Sequence, residues 1–120
     1  MLTIPYFFNV NSMKIVLVKL ANILKTQARP ADIAARFGGE EFVIFLPHTD
    51  VDEAKWMAQK FNQEVEQAEW KETGCLTVSV GAATFTVKDT EASILKNADQ
   101  ALYASKENGR NRATHFSELS

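Results

Sequence analysis

The stretch ARFGGEEFVIFLP, residues 35–47, decides how this chain is read. Two glycines and two glutamates stand between two apolar runs. DIAARF (32–37) before them is short and β-prone, and EFVIFLP (41–47) after them carries Val43, Ile44, Phe45 and Leu46 without alternation. Two such runs around a glycine turn predict a β-hairpin whose second strand is covered on both faces. Glycine supplies the positive φ that tight hairpin turns need. It also lacks a Cβ, so a phosphate can approach the backbone N–H groups, and a neighbouring carboxylate can hold a divalent cation that bridges to phosphate oxygens. Gly38, Gly39, Glu40 and Glu41 therefore read in two ways, as a plain turn or as a phosphate and metal edge.

Working outward, Leu17, Leu20, Ala21, Leu24 and Ala28 recur at helical spacing, which predicts a helix over 13–28 ended by Pro30. LTIPYFF (2–8) is β-prone but broken by Pro5, a weak strand or an extended arm. Downstream, HTDVDEA (48–54) opens a helix with acids in its first turn, and Val51, Ala54, Ala58, Phe61, Val65 and Ala68 form its apolar stripe. Trp56 and Trp70 lie off that stripe, as a partly buried edge or as contact surface. CLTVSVGAATFT (75–86) reads as a strand with small residues where something packs closely. The last helix lies within 90–109, with Ile94, Leu95, Ala98, Ala101 and Leu102 as its apolar face and Gly109 as a C-cap signal. RATHF (112–116) is a final short strand. Helices and strands in this order predict an α+β sandwich with helices covering a mixed sheet.

The totals fit one domain of 120 residues, with 46% hydrophobic and 23% charged content. A net charge of −2 gives no broad attraction for nucleic acid or an anionic membrane, so any anion must be held by a local cluster. Cys75 is the single cysteine, which excludes an intrachain disulfide and a thiolate metal site and suits a reducing, cytoplasmic setting. His48 and His115 are isolated in sequence. No run is long and apolar enough to span a membrane, and MLTIPYFF lacks the basic n-region of a signal peptide.

Two further constellations carry chemistry. Lys106 and Arg110 are four apart at the end of the last helix and are expected to share one face. They read as solvated cations favoured by the helix C-terminus or as a phosphate clamp, with Arg112 nearby. Arg29 and Asp32, in RPAD, read as a helix-ending pair or as a guanine site, since Arg can pair with guanine O6 and N7 and Asp can accept from its N–H groups.

RFGGEEF (36–42) resembles the signature of GGDEF domains, the diguanylate cyclases, with Glu at the third position. The resemblance continues through LTVSVGAA and through ADQALYASKENGRNR, and covers roughly residues 16–114. It implies a palm-like nucleotidyl-cyclase fold with a mixed, mainly antiparallel sheet. It also implies condensation of two GTP into cyclic di-GMP across a homodimer, with Mg²⁺ or Mn²⁺ as cofactor. By the same resemblance Glu40 is a metal ligand and the catalytic carboxylate, and Glu41 assists it. Gly38 and Gly39 admit the phosphates, and Lys106 and Arg110 bind them. Arg29 and Asp32 match the family's inhibitory cyclic di-GMP site, with Lys60 as a supporting cation. The domain is expected over 13–116, after an N-terminal arm or replacement strand at 1–12 and before a tail at 117–120.

One part of the family pattern is not found. A D-x-D-x-F-K-x-x-N-D segment normally supplies a metal-binding Asp and guanine-reading groups from the first strand and helix. Aligned without gaps, Pro5 and Lys14 fall on the guanine-reading positions and the metal Asp lies before Met1. The expectation is therefore a GGDEF domain with weakened metal binding and little turnover, whose first strand and helix are missing or replaced. LTIPYFF is expected to refill the central slot of the sheet. The alternatives are a cyclic di-GMP receptor acting through Arg29 and Asp32, and a regulatory dimerisation module.

Overall fold

A computed structural model of the chain describes residues 2–3, 19, 22–23, 33–36, 41–46, 49–70 and 76–119. Both predicted helices in the second half form, and local chemistry explains where each starts. Asp50 caps α1 (Val51–Gln67): its Oδ1 accepts from the Glu53 N–H at 2.8 Å, and Asp52 and Glu53 place acid in the first turn. Thr90 caps α2 (Glu91–Glu107) through a capping box with Ser93. The Ser93 N–H donates to Thr90 Oγ1, and the Thr90 N–H donates to Ser93 Oγ. Asp89 fastens the approach. Its carboxylate accepts from the Thr86 N–H and from the Thr86 and Ser93 hydroxyls, which hold its pKa below the ordinary value, the Thr86 N–H most.

Five strands make one sheet: β1 (Leu2–Thr3), β2 (Ile33–Arg36), β3 (Glu41–Phe45), β4 (Ser79–Ala82) and β5 (Arg112–His115), in the order β2-β3-β1-β4-β5. β2 and β3 are the expected antiparallel hairpin, with Ile33 opposite Phe45 and Arg36 opposite Phe42. β1 is antiparallel to both β3 and β4, and β4 is parallel to β5, so the sheet is mixed and mainly antiparallel. The central slot is occupied: Leu2 faces Phe42 on one side and Val80 on the other. The rest of LTIPYFF lies outside the described residues. So does the predicted helix over 13–28, apart from Lys19, Asn22 and Ile23; Lys19 and Asn22–Ile23 are helical. Cys75 and His48 are also outside them.

Two expectations need correction. The strand expected over 75–86 is only Ser79–Ala82. On the side of its neighbour β5 it has four register partners, and β5 gives way there to the turn at Phe116–Glu118. Trp70 is not a partly buried edge. It is 2% exposed, in the core cluster with Phe61, Val65, Leu76, Val78 and Val80. Its indole N–H donates to the Val65 carbonyl at 2.9 Å, and the Lys19 ammonium lies 4.8 Å from its ring centroid. Trp56, by contrast, is exposed, with the Lys60 ammonium over its ring.

The small residues of β4 do admit a close neighbour. A Cβ on Gly81 would lie 2.2 Å from the Leu102 nitrogen and 2.4 Å from the Ala98 carbonyl oxygen, so the backbone of α2 rests directly on the strand. Ser105, fully buried on the same helix, bonds the Val80 carbonyl at 2.8 Å and the Thr114 hydroxyl at 2.7 Å. α2 is thereby fixed to both β4 and β5.

At the far end of β5, buried His115 joins the strand to a short 3-10 turn, Phe116–Glu118. The Ser117 N–H donates to Nδ1 at 3.0 Å, so the neutral ring carries its proton on Nε2, 2.9 Å from Thr84 Oγ1. Burial first, and the Lys55 charge second, lower the His115 pKa, against a smaller opposing pull from Glu118. The unfolded chain takes up this proton near pH ~6.5, where the folded chain resists it. Stability is therefore full above about pH 6.5 and declines as pH falls below it. Thermal unfolding between pH 7.5 and 5.5 is expected to show this loss, and a His115→Gln variant to show less of it. Equal slopes in the two proteins would remove His115 as the cause.

Candidate functional site

Register brings the chemistry to one end of the sheet. Glu41, the first residue of β3, faces Thr3; Thr3 faces Ser79; and Ser79 faces Arg112, the first residue of β5. Glu41 and Arg112 thus begin strands three positions apart, about 14 Å at ordinary inter-strand spacing. Gly38, Gly39 and Glu40 fall in sequence between the end of β2 and the start of β3, and they lie outside the described residues, as do Arg29 and Asp32. Of the expected site, the structure places Glu41 by its backbone, and Lys106, Arg110 and Arg112 with their side chains. Lys60 is exposed on α1, and its described neighbour is Trp56.

The basic pair is not arranged as expected. Lys106 is half-buried in the last turn of α2, but the helix ends at Glu107 with Asn108 as its C-cap, so Arg110 does not share a helix face with it. Gly109 (φ 117°) reverses the chain, and the Arg110 N–H closes on the Ser105 carbonyl at 2.9 Å, the long bond of a Schellman ending. Two non-glycine residues then continue in the left-handed region, Arg110 at φ 62° and Asn111 at φ 45°. Asn tolerates this conformation; an arginine there costs about 1–2 kcal/mol. Backbone strain of this kind persists only where the surroundings over-determine it, and it gathers at functional sites.

The surroundings do over-determine it. The Arg112 Nε–H donates to the Arg110 carbonyl at 3.0 Å. The Asn111 side chain accepts from Asn62 Nδ2 at 3.3 Å and donates to Glu66. Asn62 itself, 9% exposed, donates to the Val78 carbonyl at 3.0 Å. Sequence reasoning missed Asn62, Glu66 and Asn111. A signal was present: Asn62 sits between Phe61 and Val65 of an apolar stripe, and a buried amide there requires partners.

The residue opposite Glu41 is a threonine, and the next across is a serine. Among the described residues no three His, Cys, Asp or Glu side chains gather as a metal site. No helix among them is long and apolar enough to cross a membrane.

The family description "Diguanylate cyclase, GGDEF domain" matches residues 13–112. Diguanylate cyclase A of Treponema denticola is 38% identical over 124 residues, which covers 95% of this chain and 33% of that protein. Diguanylate cyclase DgcM of Escherichia coli is 38% identical over 97 residues, which covers 81% of this chain and 24% of that protein. The chain thus spans a quarter to a third of these curated relatives. Among solved structures, the active GGEEF domain of a diguanylate cyclase from Vibrio cholerae superposes with a TM-score of 0.89 at 29% identity, over 96% of this chain and 79% of that one. The GGDEF domain of DgcB from Caulobacter crescentus, in complex with c-di-GMP, gives 0.87 at 30% identity, over 97% and 75%.

Proposed function

This chain belongs to the family of GGDEF diguanylate cyclase domains, and on that premise we propose that it is a guanine-nucleotide half-site of cyclic di-GMP signalling with little turnover of its own. In this reading GTP phosphates lie between the Gly38–Gly39 turn and the Lys106–Arg110 loop, across the end of the sheet. Lys106 acts as a point charge and Arg110 as a bidentate donor. Glu40 and Glu41 are the acids on the opposite side, and a second copy of the domain supplies the other GTP. Arg29 and Asp32 keep the role of a cyclic di-GMP inhibitory pair.

The observation that carries the reduced turnover is Thr3. The strand beside Glu41 is where a facing carboxylate would complete a cation site, and its residue opposite Glu41 is a neutral hydroxyl. Divalent cations of the Mg²⁺ class are held by anionic oxygen, and phosphoryl displacement between two metals needs a shared set of carboxylates. In this reading the carboxylate that position 3 would supply is missing from such a set, so binding of Mg²⁺ or Mn²⁺ is weakened.

Incubation with GTP and Mg²⁺ or Mn²⁺ is expected to yield no cyclic di-GMP above background, under conditions where the Vibrio cholerae GGEEF domain gives product. Robust synthesis by this chain would overturn the reading.

A further inference from the structure

We infer that Asn62, acting through Asn111, is the positioning residue that sets Arg110 for phosphate binding. The inference rests on the reading of Lys106 and Arg110 as phosphate ligands. Asn62 lies on α1, outside the loop and outside the end of the sheet where a nucleotide would sit. Its amide is nearly buried, and the Nδ2 group divides its hydrogens between the Val78 carbonyl and Asn111 Oδ1. With the amide tied to β4's approach segment, its orientation is set. Glu66, one helical turn later, accepts from the other end of the Asn111 amide. The two α1 side chains therefore grip Asn111 at its acceptor and at its donor, and leave that side chain one orientation.

Asn111 is the last of three consecutive residues with positive φ, and Arg110 is the one before it. The only relief open to a left-handed arginine is rotation of its flanking peptides, which would swing the guanidinium and break the Arg110 N–H bond to Ser105. The grip on Asn111 blocks that rotation from the C-terminal side, and Gly109 and the Ser105 carbonyl block it from the N-terminal side. Asn62 touches no ligand in this arrangement. It acts by holding the backbone that carries one.

Two readouts test this on the whole chain. The first is amide hydrogen exchange at Arg110. The second is calorimetry with tripolyphosphate, which has the charge of the nucleotide tail without the base. Asn111→Gly removes the gripped amide while leaving positive φ accessible, and Asn62→Leu removes the grip while keeping a side chain branched at Cγ. Each is expected to speed Arg110 exchange about tenfold, as befits loss of one or two buried hydrogen bonds, and to weaken tripolyphosphate by a similar factor. In an Arg110→Ala background, Asn111→Gly is expected to weaken binding no further. Unchanged exchange at Arg110, or an equal loss of affinity with and without Arg110, overturns the inference. If instead Lys106→Ala and Arg110→Ala leave tripolyphosphate binding untouched, the phosphate reading fails, and the exchange result still decides whether the grip holds the loop. If Asn62→Leu does not fold, Asn111→Gly alone carries both readouts.

Discussion

Gly81→Val is expected to lower the thermal midpoint by about 10 °C or more. Even the first carbon of a side chain has no room. A Cβ there would stand 2.2 Å from the Leu102 nitrogen and 2.6 Å from its Cα, and these are backbone atoms of α2 that no rotamer change can move aside. Overpacking costs about 1–3 kcal/mol where side chains can yield, and more where a helix must shift. A cost of about 3 kcal/mol in a domain of this size gives a drop of that order. The same displacement would carry Lys106 and the loop after it away from the end of β4, so tripolyphosphate affinity should fall along with stability. Val87→Thr, at a fully exposed position, is the matched control and should change neither. A Gly81→Val protein that melts with the parent chain would show that α2 does not lie on β4 as described.

Trp70→Ala is expected to cost about 3–5 kcal/mol, whereas Trp56→Ala should stay within about 0.5 kcal/mol. The two residues are alike in sequence, each off the apolar stripe of α1, and differ in burial: 2% exposed against 61%. Removing Trp70 opens a void among Phe61, Val65, Leu76 and Val78 and takes the indole donor from the Val65 carbonyl, which keeps the longer bond from the Ala68 N–H at the end of the helix. Trp70→Phe should recover most of the packing and lose about 1 kcal/mol for the missing indole donor. Urea unfolding separates the three variants, and coincident midpoints for Trp70→Ala and Trp56→Ala would refute the assignment of the core.

The contrast between these tryptophans shows where the sequence was legible. The two later helices were, because their signals are local: acids in the first turn of α1, and apolar residues at three- and four-residue spacing in both. The hairpin was, because its turn lies between its strands. Trp70 was not, because its burial depends on Leu76 and Val78 returning beneath it, outside any helical period. The length of β4 was not, because a ladder ends where its partner ends, and the pairing with β5 covers four residues. At the site, Lys106 and Arg110 were found as a pair, but a four-residue spacing read as a helix face concealed a chain reversal at Gly109. Asn62 and Asn111 meet across 49 positions, a relation that spacing does not express.

The place of β1 in the sheet has a consequence for how the two sides of the site are joined. The hairpin with Glu41 lies on one side of it, while β4 and β5, with both helices against them, lie on the other. Glu41 and the cations are thus carried on opposite flanks of one central strand. A triphosphate that reached from one flank to the other would be bound by its charge and would also act as a clasp, since parting the sheet at β1 would then separate its two sets of ligands.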